Sequence, residues 1–314
     1  MQSLPQIGQP LRPLLRRILL TNLIAQTGIV ITGAIVRLTA SGLGCPTWPE
    51  CVDGSIAPTT DQTQSWHKWI EFGNRLLTVV LVIVSIASIA AVRSYNKNRI
   101  ANGLTRRPLL TKLALACFGG IFAQAILGGI TVLTGLNPLT VAAHFLVSIA
   151  LIAIAYNLYW RAQEPSDAPS TLLISPMLHK GLQAHTAVAL TVIVIGTLVT
   201  GTGPHAGDTA DITRLPFDPR IISWIHADVV LLFFGLTIGL IIGLIATQAP
   251  NAITRNSIAV LIIGLAQGLI GYVQYFTALP WVLVAFHVLG ACLLWIATLR
   301  LLFSAKQHGE SQSL

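Results

Sequence analysis

Three histidines carry the chemistry that can be read from this chain. His144, His226 and His287 each lie about 5–7 residues in from the end of a long apolar run, roughly 8–10 Å deep at helical rise. Ionisable side chains at that depth in a membrane are costly and mark functional sites. Two of the three belong to a repeat. Residues 123–144 read AQAILGGITVLTGLNPLTVAAH and residues 266–287 read AQGLIGYVQYFTALPWVLVAFH, aligned without a gap. Two neutral imidazoles facing inward at one height of a helical bundle are what bis-histidine haem ligation requires. His226 and His287 form such a pair. Zinc would need further ligands, and none is evident nearby. A c-type haem needs CxxCH, which is absent. Axial methionine is excluded by position, since Met1 and Met177 are the only methionines.

The remaining histidines read differently. His308 falls in the polar C-terminal tail and His205 in a loop, where solvation is expected. His179 sits at a span end, an interfacial position. His185 lies deeper in the same span, where it either satisfies a neighbouring helix or serves a site.

The elements that must position these residues are membrane spans. Of 314 residues, 54% are hydrophobic and only 10% charged, against roughly a quarter charged in soluble domains. Eight spans of about 20–25 residues are expected, near 15–38, 68–93, 111–134, 139–160, 180–202, 220–246, 256–278 and 281–303. The net charge of +8 is a topological signal and not a sign of nucleic-acid binding. With both termini cytoplasmic, fourteen Lys and Arg, from Arg12 to Lys306, lie inside, and five, Arg37, Lys68, Arg75, Arg214 and Arg220, lie outside. Acidic residues, Asp211 among them, collect in the outer loops. The N-terminal basic stretch runs straight into a full span, unlike a cleavable signal.

Two outer loops are long, about 39–67 and 203–219, and two connections are tight, at Pro138 and Pro280. The repeat extends weakly to the first halves, where Gly33-Ala-Ile-Val36 resembles Gly196-Thr-Leu-Val199. The architecture predicted is an all-α polytopic protein of two four-helix bundles, residues 1–162 and 163–314, in a parallel tandem repeat.

The bundles differ in chemistry. Opposite His144, the second span reads Glu71-Phe-Gly-Asn74-Arg75, with no histidine at that depth. His67 lies two turns further out. Glu71 either pairs with Arg75 at i+4 or handles protons and water beside the site. Asp228 is a candidate to orient a ligand. Arg37, Arg75 and Arg220 stand at the outer rim, either to meet propionates or to snorkel. Cys45 and Cys51 bracket GCPTWPEC in the first outer loop, and a disulfide is expected there. Cys117 and Cys292, inside spans, read as buried inert thiols. Trp48 with Pro46 and Pro49 suggests a rigid loop on the membrane surface.

The run TGAIVRLTASGLGCPTWPEC (32–51), the stretch EFGNRLL after Trp69-Ile70, and the two motifs ending in His144 and His287 resemble haem A synthase, the cytochrome oxidase assembly family. The resemblance covers the chain from the first span to the last. It implies haem b held by His226 and His287, and haem O bound as substrate with His144 as a ligand. It implies oxidation of the haem O C8 methyl to a formyl group, with oxygen from water, to give haem A. Glu71 matches the family's essential carboxylate, and Cys45 with Cys51 its outer-loop pair. Asn74 stands where the family pattern Glu-x-x-His-Arg has histidine, which leaves Asn74 and Arg75 as candidate binding residues. Haem O synthase, an electron acceptor such as a quinone, membrane lipid and further copies of the chain are the implied partners, in the cell membrane. The same residues would also serve a b-type cytochrome that only passes electrons. A transporter is a third class.

Overall fold

In the computed structural model, which describes residues 13–209 and 212–309, eight long helices account for most of the chain. They are α1 (Pro13–Leu38), α2 (His67–Ala101), α3 (Pro108–Leu133), α4 (Pro138–Ala162), α5 (Pro176–Thr202), α6 (Pro219–Ala246), α7 (Asn251–Phe276) and α8 (Trp281–Ser304). All eight are long and apolar enough to cross a membrane. Met1, Arg12 and Asp211 lie outside the described residues.

Helix starts are written in the sequence. Proline occupies the first turn of α3, α4, α5 and α6, where its missing N–H costs nothing. Asn137 accepts from Leu139 N, Ser175 from Leu178 N, and Asp218 from Arg220 N and Ile221 N, each capping a helix. The tight α3–α4 and α7–α8 turns share one backbone solution. Gly135 and Leu136, and equivalently Ala278 and Leu279, all adopt positive φ near 60°. That conformation is free for glycine and strained for the other three.

Within the first half, α1 packs on α2 and α4, and α3 packs on α2 and α4. The second half repeats this: α5 on α6 and α8, α7 on α6 and α8. Each half is thus a ring of four antiparallel helices, with α2 diagonal to α4 and α6 diagonal to α8. The rings meet through α4 against α8, α1 against α8 and α4 against α5. That set maps onto itself when the halves are exchanged. Trp295 Nε1 donates to the Ile149 carbonyl across this seam at 3.1 Å.

Two departures from the expected layout lie on the face that carries the termini. Helix α2 runs on to Ala101, because Asn96 turns back to pair with Arg107, its amide donating to the Arg107 carbonyl at 3.2 Å. A two-stranded sheet then forms, Ser170–Leu172 (β1) antiparallel to Lys306–His308 (β2). His308 is therefore not a solvated tail residue. Its Nδ1 lies 2.6 Å from the Ala168 carbonyl, since backbone pairing seats the tail on the inter-ring linker. His179 lies in the first turn of α5, at the span end as expected, and is buried there.

Candidate haem sites

Each proposed ligand position is the seventh or eighth residue of an even-numbered helix. Asn74 in α2, His144 in α4, His226 in α6 and His287 in α8 all follow helix starts on the loop face. Equal spacing from equal starts puts them at one level, about 10 Å from the helix ends. His226 and His287 stand on diagonal helices of the second ring, and Asn74 and His144 on diagonal helices of the first.

A glycine on the neighbouring helix faces each position. A methyl group on Gly128 (α3) would lie 3.2 Å from His144 Cε1, and one on Gly196 (α5) 3.3 Å from His226 Cε1. On Gly271 (α7) it would lie 3.7 Å from His287 Cε1, and on Gly33 (α1) 3.9 Å from Asn74 Nδ2. The four seats are therefore structurally equivalent, and Asn74 occupies the fourth. Spacing along α2 and α6 alone did not give this register. The facing glycines do.

The three imidazoles share an electrostatic condition. Nδ1 of His144, His226 and His287 is enclosed with no hydrogen-bond partner among the described residues. The Val192 carbonyl approaches the His226 ring without a hydrogen bond of normal geometry. All three residues are only half-buried overall, so each ring keeps an open edge. Helix α4 is fixed at this point by Gln124, whose amide donates to the His144 carbonyl at 3.0 Å. Asn74 is held differently, its Oδ1 accepting from Thr32 Oγ1 at 2.7 Å. A groove of about 280 Å³ between α1 and α2 runs past it, lined by Thr32, Asn74 and the apolar Ile35, Trp69, Ile70 and Leu77.

The disulfide loop closes over the first ring. Cys45 and Cys51 are bonded and fully buried. Both alternatives for Glu71 involve this loop. The ion pair with Arg75 is present at 2.6 Å, and the second carboxylate oxygen accepts from Cys45 N at 2.7 Å. Arg75 spends its other donors on the carbonyls of Cys45, Thr47 and Glu50. It is a loop clamp at the rim. Trp48 packs one edge against Gly129 of α3 and stays partly exposed at the surface, as do Pro46 and Pro49.

Other candidates fall elsewhere. His67 is engaged by Ser41 Oγ at 3.0 Å and stacks on Trp66, away from the seat. His205 is not solvated. Its Nε2 meets the Leu279 carbonyl at 2.8 Å, because the second long loop folds over the α7–α8 turn. His185 satisfies a neighbouring helix, with Nε2 2.9 Å from Thr237 Oγ1. Asp228 is exposed on α6. Arg220 lies over Trp224, 4.6 Å from the ring centroid. Arg37 donates to the Thr200 carbonyl at 2.8 Å, joining the two rings. Cys117 and Cys292 are free and buried, as expected.

The family model described as cytochrome oxidase assembly protein matches residues 16–299. The chain belongs to the cytochrome oxidase assembly protein family. Among its relatives, "Heme A synthase" of Geobacillus kaustophilus is 33% identical over 132 residues, 41% of this chain and 37% of that protein. "Heme A synthase" of Listeria monocytogenes is 30% identical over 182 residues, 57% of this chain and 56% of that protein. The chain thus spans between 37% and 56% of the length of these two relatives. Membership rests on the family match, which runs from α1 to α8 and so includes all four seats of this member of the family.

Proposed function

We propose that the chain is a haem A synthase of the cell membrane. Its first ring, within residues 1–162, takes haem O as substrate, and its second, within 163–314, holds haem b. One observation carries the reading: four equivalent glycine-faced seats, of which three present an imidazole with an unpartnered nitrogen. The relatives' names agree with it. His226 and His287 would hold haem b, for which two diagonal imidazoles with open edges are a fitting donor set. When bound, that group supplies reversible one-electron transfer.

The overall change at the substrate balances as –CH₃ + H₂O → –CHO + 4 e⁻ + 4 H⁺. The electrons require an acceptor, for which a quinone is the class proposed. His144 and Asn74 flank the substrate. Asn74 can donate or accept a hydrogen bond but cannot match an imidazole as an iron ligand, so substrate is held from one side. This leaves an exchangeable position, as open catalytic sites do. Glu71 is assigned to proton and water handling beside the substrate. Its carboxylate is tied to the disulfide loop, so loop and proton transfer act together. Haem O synthase is the proposed source of substrate, and a homo-oligomer the proposed assembly. Both termini are placed in the cytoplasm on the fourteen-to-five distribution of Lys and Arg.

The test is expression beside a haem O source, followed by extraction and mass analysis of the haems. Wild type should yield haem A. His287→Ala should lose the b-type spectrum, and His144→Ala should retain it and make no haem A. A bis-histidine spectrum without haem A in wild type would favour the electron-transfer cytochrome instead.

A further inference from the structure

The ligand level has a second level beneath it. Eleven residues is about three helical turns, so a step of eleven keeps the same helix face and moves about 16 Å toward the terminus face. From the two seats of the first ring and their two facing glycines this step reaches Asn22 in α1, Ser85 in α2, Cys117 in α3 and Ala155 in α4. In the second ring it reaches His185, Thr237, Val260 and Thr298. All eight are buried, at 0% or 1% exposure.

The two inner layers differ as the outer ones do. In the second ring the layer is largely paired, with only His185 Nδ1 left without a partner among the described residues. His185 meets Thr237, Thr237 donates to the Phe233 carbonyl at 2.7 Å, and Thr298 to the Leu294 carbonyl at 2.9 Å. In the first ring it is not. Asn22 Oδ1 and Nδ2 and Ser85 Oγ are buried without hydrogen-bond partners. Cys117 approaches the Asn22 side chain but completes no hydrogen bond of normal geometry with it. Gln26, one turn outward from Asn22 on the same face and 4% exposed, adds an unpartnered Nε2. Its counterpart in the second ring is the apolar Ala189.

Four unpartnered polar atoms, both donors and acceptors, in one enclosed layer are expensive unless something small and neutral joins them. Water is the molecule that does this in protein interiors, typically with about three hydrogen bonds. The layer is sealed on the terminus side. A further seven residues along each helix lie Leu15, Val92, Leu110 and Ala162, all buried and apolar. One turn toward the loop side lie Gln26 and the buried apolar Leu81, Ile121 and Leu151, so Gln26 is the polar group that the layer has on the side of Asn74. We infer that Asn22, Gln26 and Ser85 form an internal water site in the first ring, with Gln26 on its substrate side, supplying the water that the reaction consumes. The supply role rests on the proposed synthase activity. The site itself does not.

Radiolytic footprinting tests it. Hydroxyl radicals formed from bound water oxidise adjacent sulfur even where bulk solvent does not reach. Cys117 lies in the layer and Cys292 lies outside it, and both are 0% exposed, so the chain carries its own control. In wild type, Cys117 should oxidise about tenfold faster than Cys292. In Asn22→Leu/Ser85→Ala the Cys117 rate should fall to that of Cys292, and haem A output should fall with it. Ser85→Ala alone, a smaller change, should lower the Cys117 rate partway. Equal rates at the two thiols in wild type would overturn the site. Loss of Cys117 labelling with undiminished haem A would overturn the supply role. Wild type that makes no haem A would sink the synthase reading and leave the labelling comparison intact.

Discussion

The Glu71 carboxylate accepts a hydrogen bond from the Cys45 backbone amide at 2.7 Å while its other oxygen holds Arg75 at 2.6 Å. The residue assigned to proton handling is therefore also the anchor of the disulfide loop. The functional and ion-pair readings of Glu71 are two aspects of one arrangement, since a carboxylate bound to an amide and a guanidinium is fixed in place.

Glu71→Gln separates these aspects. The amide can still accept from Cys45 N, and Arg75 keeps its three loop carbonyls. The loop should stay closed and haem content should match wild type. Formyl production should fall roughly a hundredfold or more, the usual scale for loss of a general acid or base. Mass analysis of extracted haems decides this. Unchanged haem A output would remove Glu71 from the chemistry.

The facing glycines give a graded prediction. Alanine at 128 places a methyl 3.2 Å from the His144 ring, which must then give by a few tenths of an ångström. Alanine at 271 meets His287 at an ordinary 3.7 Å. Gly128→Ala should weaken haem O binding by about tenfold, the lower end of the range seen when a ligand's support is disturbed. Gly271→Ala should change haem b content little. Gly73→Ala, with nothing within 4 Å, is the neutral control. Spectroscopic titration of each variant measures the order.

Much of this architecture was legible in the sequence because spans declare themselves by length and apolarity. The three candidate histidines also stood out, since an ionisable group in an apolar run needs a reason. The equivalence of Asn74 with His226 was legible from the family pattern, which has histidine at that position, but not from the internal repeat. The helix pairs α1–α2 and α5–α6 are separated by loops of different length, so no single offset aligns them. The register between facing helices, Gly33 with Asn74 and Gly196 with His226, restores it. Nor could the tail be read. His308 and Lys306 look solvated by composition, and their pairing with residues 170–172 is a non-local backbone contact without a side-chain pattern.

Arg107 is the corresponding hidden anchor on the terminus face. It is 0% exposed. Its guanidinium donates to Asp167 Oδ1 at 3.0 Å and to the carbonyls of Arg161 at 2.7 Å, Ser166 at 3.2 Å and Glu164. It thereby fastens the α2–α3 connection to the inter-ring linker. Truncating one partner of a buried pair leaves the other charge and the carbonyls exposed to an apolar surround. Arg107→Ala should cost about 3–5 kcal/mol, and Arg107→Lys less, because the charge survives while the planar fork is lost. Thermal unfolding in detergent should rank wild type above Arg107→Lys above Arg107→Ala. Equal midpoints for all three would show that the linker does not depend on this residue.

Asn74→His is the most direct test of the fourth seat. A methyl added on Gly33 would lie 3.9 Å from Asn74 Nδ2, an ordinary contact, so the glycine itself leaves that volume free for an imidazole on the α1 side. Asn74 also lies diagonal to His144, as His226 lies diagonal to His287. The substitution would complete a second pair of nitrogen donors and remove the hydrogen bond from Thr32 to the asparagine oxygen. Haem retained per chain after purification should rise from about one to about two, with a second bis-histidine signature in the spectrum. Turnover should change in a direction that reports the role of Asn74. If an exchangeable position is needed, a tighter site will slow product release and lower haem A output. Unchanged haem stoichiometry in Asn74→His would mean that the seat does not face the ring interior, and the equivalence of the two rings at this level would fall with it.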